Sequence, residues 1–297
     1  MGGARRRDPP PAPPPAGAPL PRERAGLRAQ KFPRNRRKRF RRGLRSCLNK
    51  ETCDHDHDRN RHRDPGRRDR RRHLPTLDLR TAHAGGFSFN QYLVADEEPL
   101  LFHTGPRRLF PSVREAVARV LPPESLRYVG FGHVESDECG SLNDWLAVAP
   151  QAVPLCSRVA AMVSVMDLAD RPPPALADGE TLALGRHRVT WLDAPHVPHG
   201  WENGFLMEET TRTFLCGDLF TQAGDGATAL TSADILEPSE AMRKGMDDDA
   251  HAPSTRSVLE RFAALAPTTL ACMHGSAWSG DGASLLRALA DRIETND

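Results

Sequence analysis

Apolar residues fall into short, regularly spaced runs from about Leu77 onward and are sparse before it. Phe87 to Val94 and Pro99 to Phe102 read as an opening pair of strands around the acidic turn Asp96-Glu97-Glu98. Val113 to Leu121 has helical spacing and stops at Pro122-Pro123, and Leu126 to Phe131 follows as an apolar strand. Ser141 is placed to cap a helix through about Val148; Val153 to Cys156 reads as a strand and Arg158 to Val165 as a helix. Two hairpins follow, Leu182 to Leu184 with His187 to Leu192 around Gly185-Arg186, and Gly204 to Glu208 with Thr213 to Cys216. Ser254 to Leu265 is a helix, Thr269 to Cys272 a strand, and Gly282 to Ile293 a closing helix. Hairpins mixed with strand-helix alternation predict an α/β (α+β) architecture of two sheets covered by helices.

Charge divides the chain at the same place. Residues 1 to 75 hold 24 of the 41 Lys and Arg but 8 of the 39 Asp and Glu, a net charge of +16 against −14 for the remainder. With many prolines and few aliphatic residues, residues 1 to 76 are expected to be a disordered Pro/Arg-rich arm, and 77 to 297 the folded domain. The arginine run could neutralise phosphates, but only Phe32 and Phe40 offer rings to stack bases, so a nucleic-acid partner is expected through this arm or not at all. The run Cys53-Asp54-His55-Asp56-His57-Asp58 reads as adventitious metal affinity, because no strand precedes it to fix ligand geometry.

No stretch of about 18 apolar residues suggests a membrane span, no apolar block follows the early arginines as in a secretory signal, and serine is too rare for a mitochondrial presequence. A cytoplasmic protein is expected. The six cysteines (Cys47, Cys53, Cys139, Cys156, Cys216, Cys272) are scattered without a C-x-x-C pair, which suits reduced thiols better than a disulfide framework.

The chemistry concentrates at strand ends. In Gly132-His133-Val134-Glu135-Ser136-Asp137-Glu138 the metal-binding side chains are two apart, and an extended backbone would send alternate side chains to one side. His196 follows the strand through Leu192 in a loop stiffened by Pro195 and Pro198, with His199 the competing candidate. Asp218 ends a strand, where its carboxylate could bridge two cations roughly 3.5–4 Å apart. His274 lies just past another strand. A polar loop, a turn Asp and a helix cap would account for these residues singly; the ordered set points to a dinuclear metal site.

This set, with Phe87-Ser88-Phe89-Asn90-Gln91-Tyr92-Leu93, Gly140-Ser141-Leu142, His196-Val197-Pro198, Leu215-Cys216-Gly217-Asp218 and His274-Gly275 with Trp278, resembles the metallo-β-lactamase superfamily. Within it, the chain resembles the metal-binding domain of the flavodiiron proteins. The resemblance implies an αββα sandwich with His133, Glu135 and His196 on one metal, Asp137 and His274 on the other, and Asp218 between them. Asp218 and Asp137 are the carboxylates expected at the reacting centre. Glu135 stands where zinc hydrolases of the superfamily usually carry His, and Glu138 stands where flavodiiron proteins usually carry a His ligand, which makes Glu138 a tentative oxygen donor.

Such a donor set suits iron, with zinc or manganese permitted. The leading expectation is a non-haem diiron protein that binds, reduces or senses dioxygen or nitric oxide. The alternative is a hydrolase whose metals activate water against an ester, thioester or phosphodiester. A third class is a redox-reporting module acting through the basic arm. No flavin is expected on this chain, so the expected partners are a small molecule, an external electron-donor protein and a second copy in a homodimer. Trp201, Glu202, His199 and His251 are candidates for orienting ligands or moving protons.

Overall fold

The fold is taken from a computed structural model that describes residues 76–79 and 86–294. The basic arm and its His/Asp run lie outside the described residues. The first half of the domain contains β1 (Thr76–Leu79), β2 (Phe89–Val94), β3 (Leu100–Phe102), α1 (Phe110–Ala118), β4 (Tyr128–Gly130), α2 (Ser136–Cys139), α3 (Leu142–Val148), β5 (Val153–Ser157), α4 (Arg158–Ala160), α5 (Met166–Leu168) and β6 (Ala175–Leu176). The second half contains β7 (Thr181–Ala183), β8 (Arg188–Asp193), β9 (Gly204–Glu208), β10 (Thr213–Gly217), β11 (Leu230–Thr231), α6 (Leu236–Met246), α7 (Thr255–Ala264), β12 (Thr269–Cys272), β13 (Ala277–Ser279) and α8 (Gly282–Glu294).

The strands form a six-stranded sheet in the order β1-β2-β3-β4-β5-β6 and a seven-stranded sheet in the order β11-β13-β12-β10-β9-β8-β7. Three apolar clusters explain why the two sheets pair. Leu93 faces outward with Val113, Trp145 and Leu146 of α1 and α3, while its neighbours Tyr92 and Val94 face inward onto Val189, Trp191 and Leu206 of the other sheet. Phe205, Phe214 and Cys216 face the opposite way, onto Leu259 and Phe262 of α7 and Leu286 and Leu289 of α8. Period-two alternation therefore gives each sheet two apolar faces, one for its partner and one for helices. Each fully buried Leu or Phe contributes roughly 1.5–3 kcal/mol from transfer out of water.

The layered arrangement is the expected αββα sandwich. One local mechanism differs from expectation: Ser141 occupies the N-cap of α3 without a capping bond, and its hydroxyl donates instead to Gly105 O at 3.1 Å. A helix also occupies 236 to 246, where Pro238 and Gly245 had obscured the spacing.

Candidate metal centre

The cluster assembles at the C-terminal ends of β4, β8, β10 and β12, where successive loops lie side by side. The H-x-E-x-D segment does not remain extended as expected. Glu135 is the last extended residue (φ −127°, ψ 160°), and Ser136 begins the single helical turn α2. Asp137 is thus delivered by a bend from strand end into helix. Its carboxylate still reaches the cluster, with Oδ2 lying 3.3 Å from His274 Nε2.

His196 is a correction. It is exposed, with φ 64°, and its N–H donates to Gly200 O at 2.8 Å, closing a turn whose tip faces solvent. Ala194 and Val197 are both fully buried, and anchoring them in the core leaves the two residues between them, Pro195 and His196, exposed. His199 takes the inward place: its Nε2 is 3.2 Å from His133 Nε2 and 3.3 Å from Asp218 Oδ2. A signal for this choice stands in the sequence, because His199 and His274 are each followed by a glycine in the left-handed region, Gly200 (φ 76°) and Gly275 (φ 83°). A Cβ at position 200 would stand 3.3 Å from the Cβ of His133, so the approach of the two loops favours glycine there.

Asp218 lies between two sets of donors. Its Oδ2 faces His133 Nε2 at 3.5 Å and His199 Nε2 at 3.3 Å, while its Oδ1 faces His274 Nε2 at 3.2 Å. Glu135 completes the first set, its Oε1 lying 3.5 Å from His133 Nε2 and 3.6 Å from His199 Nε2. One ligand atom from each of His133, Glu135, His199 and Asp218 lies within 4.8 Å of all the others. A cation about 2.1 Å from four tetrahedral donors separates them by roughly 3.4 Å, close to the 3.2 to 3.6 Å at which His133 and His199 face each other and the two carboxylates.

Each histidine is held from behind by an acceptor. His199 Nδ1 is 2.8 Å from the carbonyl of Asp248, and His274 Nδ1 is 2.8 Å from the carbonyl of Ser88. Carbonyls only accept, so these Nδ1 atoms carry the proton and, in the neutral rings, the Nε2 lone pairs point into the cluster. Phe87 stacks on the His274 ring with centroids 4.2 Å apart, and Ser88 Oγ accepts the N–H of Gly275 at 2.8 Å. The Phe87-Ser88 segment thus carries a positioning task that sequence reading had not assigned to it.

A set of inward lone pairs facing three carboxylates is an acceptor-only cluster, which repels itself unless protons or cations enter. The titration behaviour says the same. Burial alone would lower His133, yet Glu138, Glu135 and Asp218 push it up to about 12. Burial likewise opposes His274, but Asp137 and Asp218 raise it to about 10. Asp218 is held well below its usual range despite burial, because His199, His274 and His133 surround it. The field favours positive charge at this point, and a divalent cation would supply it. His133, Glu135, His199 and Asp218 therefore fit a metal ion.

Glu138 departs from its tentative role as a ligand. It is buried behind His133 and turned away from the cluster, where its Oε2 accepts the N–H groups of Gly132 at 2.6 Å and His133 at 2.8 Å. Glu202 Oε1 accepts the N–H of Val134 at 3.2 Å and so steadies the loop after His133. Trp201 is exposed, and exposed His251 pairs with Asp247 at 3.2 Å. Cys139, Cys156, Cys216 and Cys272 are free and buried; Cys47 and Cys53 lie outside the described residues. The mouth of the site is a cavity of about 460 Å³ whose wall includes Phe87, Gly200, Thr221, Met246 and Asp248.

Two sheets between helices, with histidines and carboxylates gathered at the strand ends, define a metallo-β-lactamase-like fold carrying a candidate metal centre. The family model described as ODP family beta lactamase matches residues 87–275, and the chain belongs to that family. The chain is 28% identical over 207 residues to the rubredoxin-oxygen oxidoreductase of Megalodesulfovibrio gigas, covering 66% of this chain and 50% of that protein. It is 28% identical over 135 residues to flavo-diiron protein FprA2 of Clostridium acetobutylicum, covering 44% and 34% respectively. It therefore spans half the length or less of these curated relatives.

Among solved structures, the rubredoxin oxygen:oxidoreductase of Desulfovibrio gigas shares the fold with a TM-score of 0.65 at 21% identity, over 74% of this chain and 59% of that one. A fragment of putative diflavin flavoprotein A 5 from Nostoc sp. PCC 7120 does so with a TM-score of 0.64 at 18% identity, over 75% of this chain and 96% of the fragment. Among the described residues, no helix is long and apolar enough to cross a membrane.

Proposed function

We propose that this chain is a dinuclear non-haem iron protein that binds, reduces or senses dioxygen or nitric oxide. The observation that carries the reading is the placement of Asp218, whose two carboxylate oxygens face separate donor sets at 3.2 to 3.5 Å. In this reading His133, Glu135 and His199 would hold the first iron and Asp137 and His274 the second, with Asp218 available to both. When bound, two ferrous ions supply two electrons and open positions for a diatomic ligand. Three carboxylates and three histidines without thiolate form an oxygen-rich set that suits iron or manganese. The names of the relatives support the same chemistry.

The chain's own residues prepare the site. The Asp248 and Ser88 carbonyls fix the histidine tautomers, and Phe87 and Met246 give the mouth an apolar side suited to a small uncharged ligand. Electrons would come from an external donor protein.

The test is to add dioxygen or nitric oxide to anaerobically reduced protein and follow its absorption spectrum. A change that depends on iron and disappears in Asp218→Asn is expected. Protein that holds only zinc, shows no spectral response and cleaves a thioester, lactone or phosphodiester would overturn the reading in favour of hydrolysis.

A further inference from the structure

We infer that Glu138 and His103 are a buried positioning pair that aims His133 at the first metal position, leaving the second position with fewer protein ligands than the first. The inference rests on the metal-binding reading above and deepens it. Glu138 and His103 are 1% and 0% exposed, so their contacts are fixed by packing. The carboxylate divides its work between its two oxygens. Oε2 takes the N–H groups of Gly132 and His133, which pins the chain as it leaves β4. Oε1 lies 3.3 Å from His133 Nδ1 and 3.3 Å from His103 Nε2.

The backbone of Glu138 is tied as well, its carbonyl accepting the N–H of Thr104 at 2.7 Å. His103 follows β3 with φ 66°, and its N–H donates to Gly130 O at 2.8 Å, which sets the ring beside the carboxylate. One glycine keeps space for this group: a Cβ at Gly132 would stand 3.1 Å from Glu138 Oε2.

A carboxylate behind a ligating imidazole fixes the ring orientation and raises its basicity, and loss of such a partner typically costs 10- to 100-fold in metal affinity. Glu138 performs for His133 what the carbonyls of Asp248 and Ser88 perform for His199 and His274. Because Oε2 is taken up by two backbone N–H groups and Oε1 lies beside His133 Nδ1 and His103 Nε2, on the far side of His133, it gives nothing to the second metal. The first position is then held by His133, Glu135, His199 and one oxygen of Asp218; the second is held by Asp137, His274 and the other oxygen. An external ligand has more room at the second position.

The experiment uses the full chain, stripped of metal and titrated anaerobically with Co²⁺, read by calorimetry and visible absorption. Wild type should take up two ions in two steps. Glu138→Gln should weaken the tighter step by about 10- to 100-fold and leave the weaker step within about twofold. Asp137→Asn should do the reverse. His103→Asn, a residue that tolerates the left-handed backbone, should weaken the tighter step by a smaller factor and decides the matter if Glu138→Gln does not fold. A merely structural role would move both steps together or neither, and that result overturns the inference. Two steps of equal affinity overturn the asymmetry while the metal reading stands; no uptake by wild type overturns both.

Discussion

The two metal positions proposed here share one residue and differ in nearly everything else. The first is assembled from both sheets: His133 follows β4 of one, and His199 lies in a loop between strands of the other. Its remaining wall, Glu135, is half exposed. The second is built from fewer side chains, with His274 clamped by Phe87 and Ser88 and Asp137 presented by one helical turn. Both positions draw on both sheets and so depend on their register, and the second depends besides on the packing around one ring. Asp218 couples the two.

That comparison can be broken most severely at the shared residue. Asp218→Asn should lower the affinity for both ions by more than about 100-fold, beyond the loss expected from an outer partner. It should also destabilise the metal-free protein by about 3–5 kcal/mol, since buried His133 and His274 lose a counter-charge. Metal analysis and chemical denaturation check the two halves of this prediction.

A narrower cut separates the positions. His199→Ala should abolish one of the two uptake steps and spare the other, whereas His196→Asn should leave both intact and change stability by no more than about 0.5 kcal/mol. If His196→Asn lost a metal and His199→Ala did not, the loop would be assigned wrongly.

The smallest expected effect is a pH dependence of the metal-free form. His274 is raised from 6.5 to about 10, so it contributes stability that is complete below about pH 6.5 and is lost as pH rises through about 10. The unfolding midpoint of stripped protein should therefore fall by several degrees across that window, at roughly 2–4 °C per kcal/mol. Bound metal displaces the protons, and the loaded protein should show a flatter profile. Equal slopes with and without metal would contradict the proton-for-metal exchange.

The fold was legible because sheets buried on both faces leave continuous apolar runs such as Phe205-Leu206-Met207 that read as strands without tertiary information. The metal motif was legible as a set of residue types. Its geometry was not, because spacing alone cannot distinguish a pleat from a bend into α2. His196 was preferred over His199 for a similar reason: two histidines three apart in a Pro-rich loop are equivalent until Val197 is known to be in the core. His103 stayed hidden and Glu138 read as a tentative ligand, since a buried pair contributed by segments 35 residues apart has no periodic signature. The recurrent His-Gly dipeptide was the one local clue, and its meaning depends on loop approach distances that only the structure supplies.

The most direct test of the central claim is metal analysis of protein purified without oxygen from iron-supplied cells. Two iron ions per chain, falling towards none in Asp218→Asn, is the predicted result. A single ion per chain that survives Asp218→Asn would contradict the account.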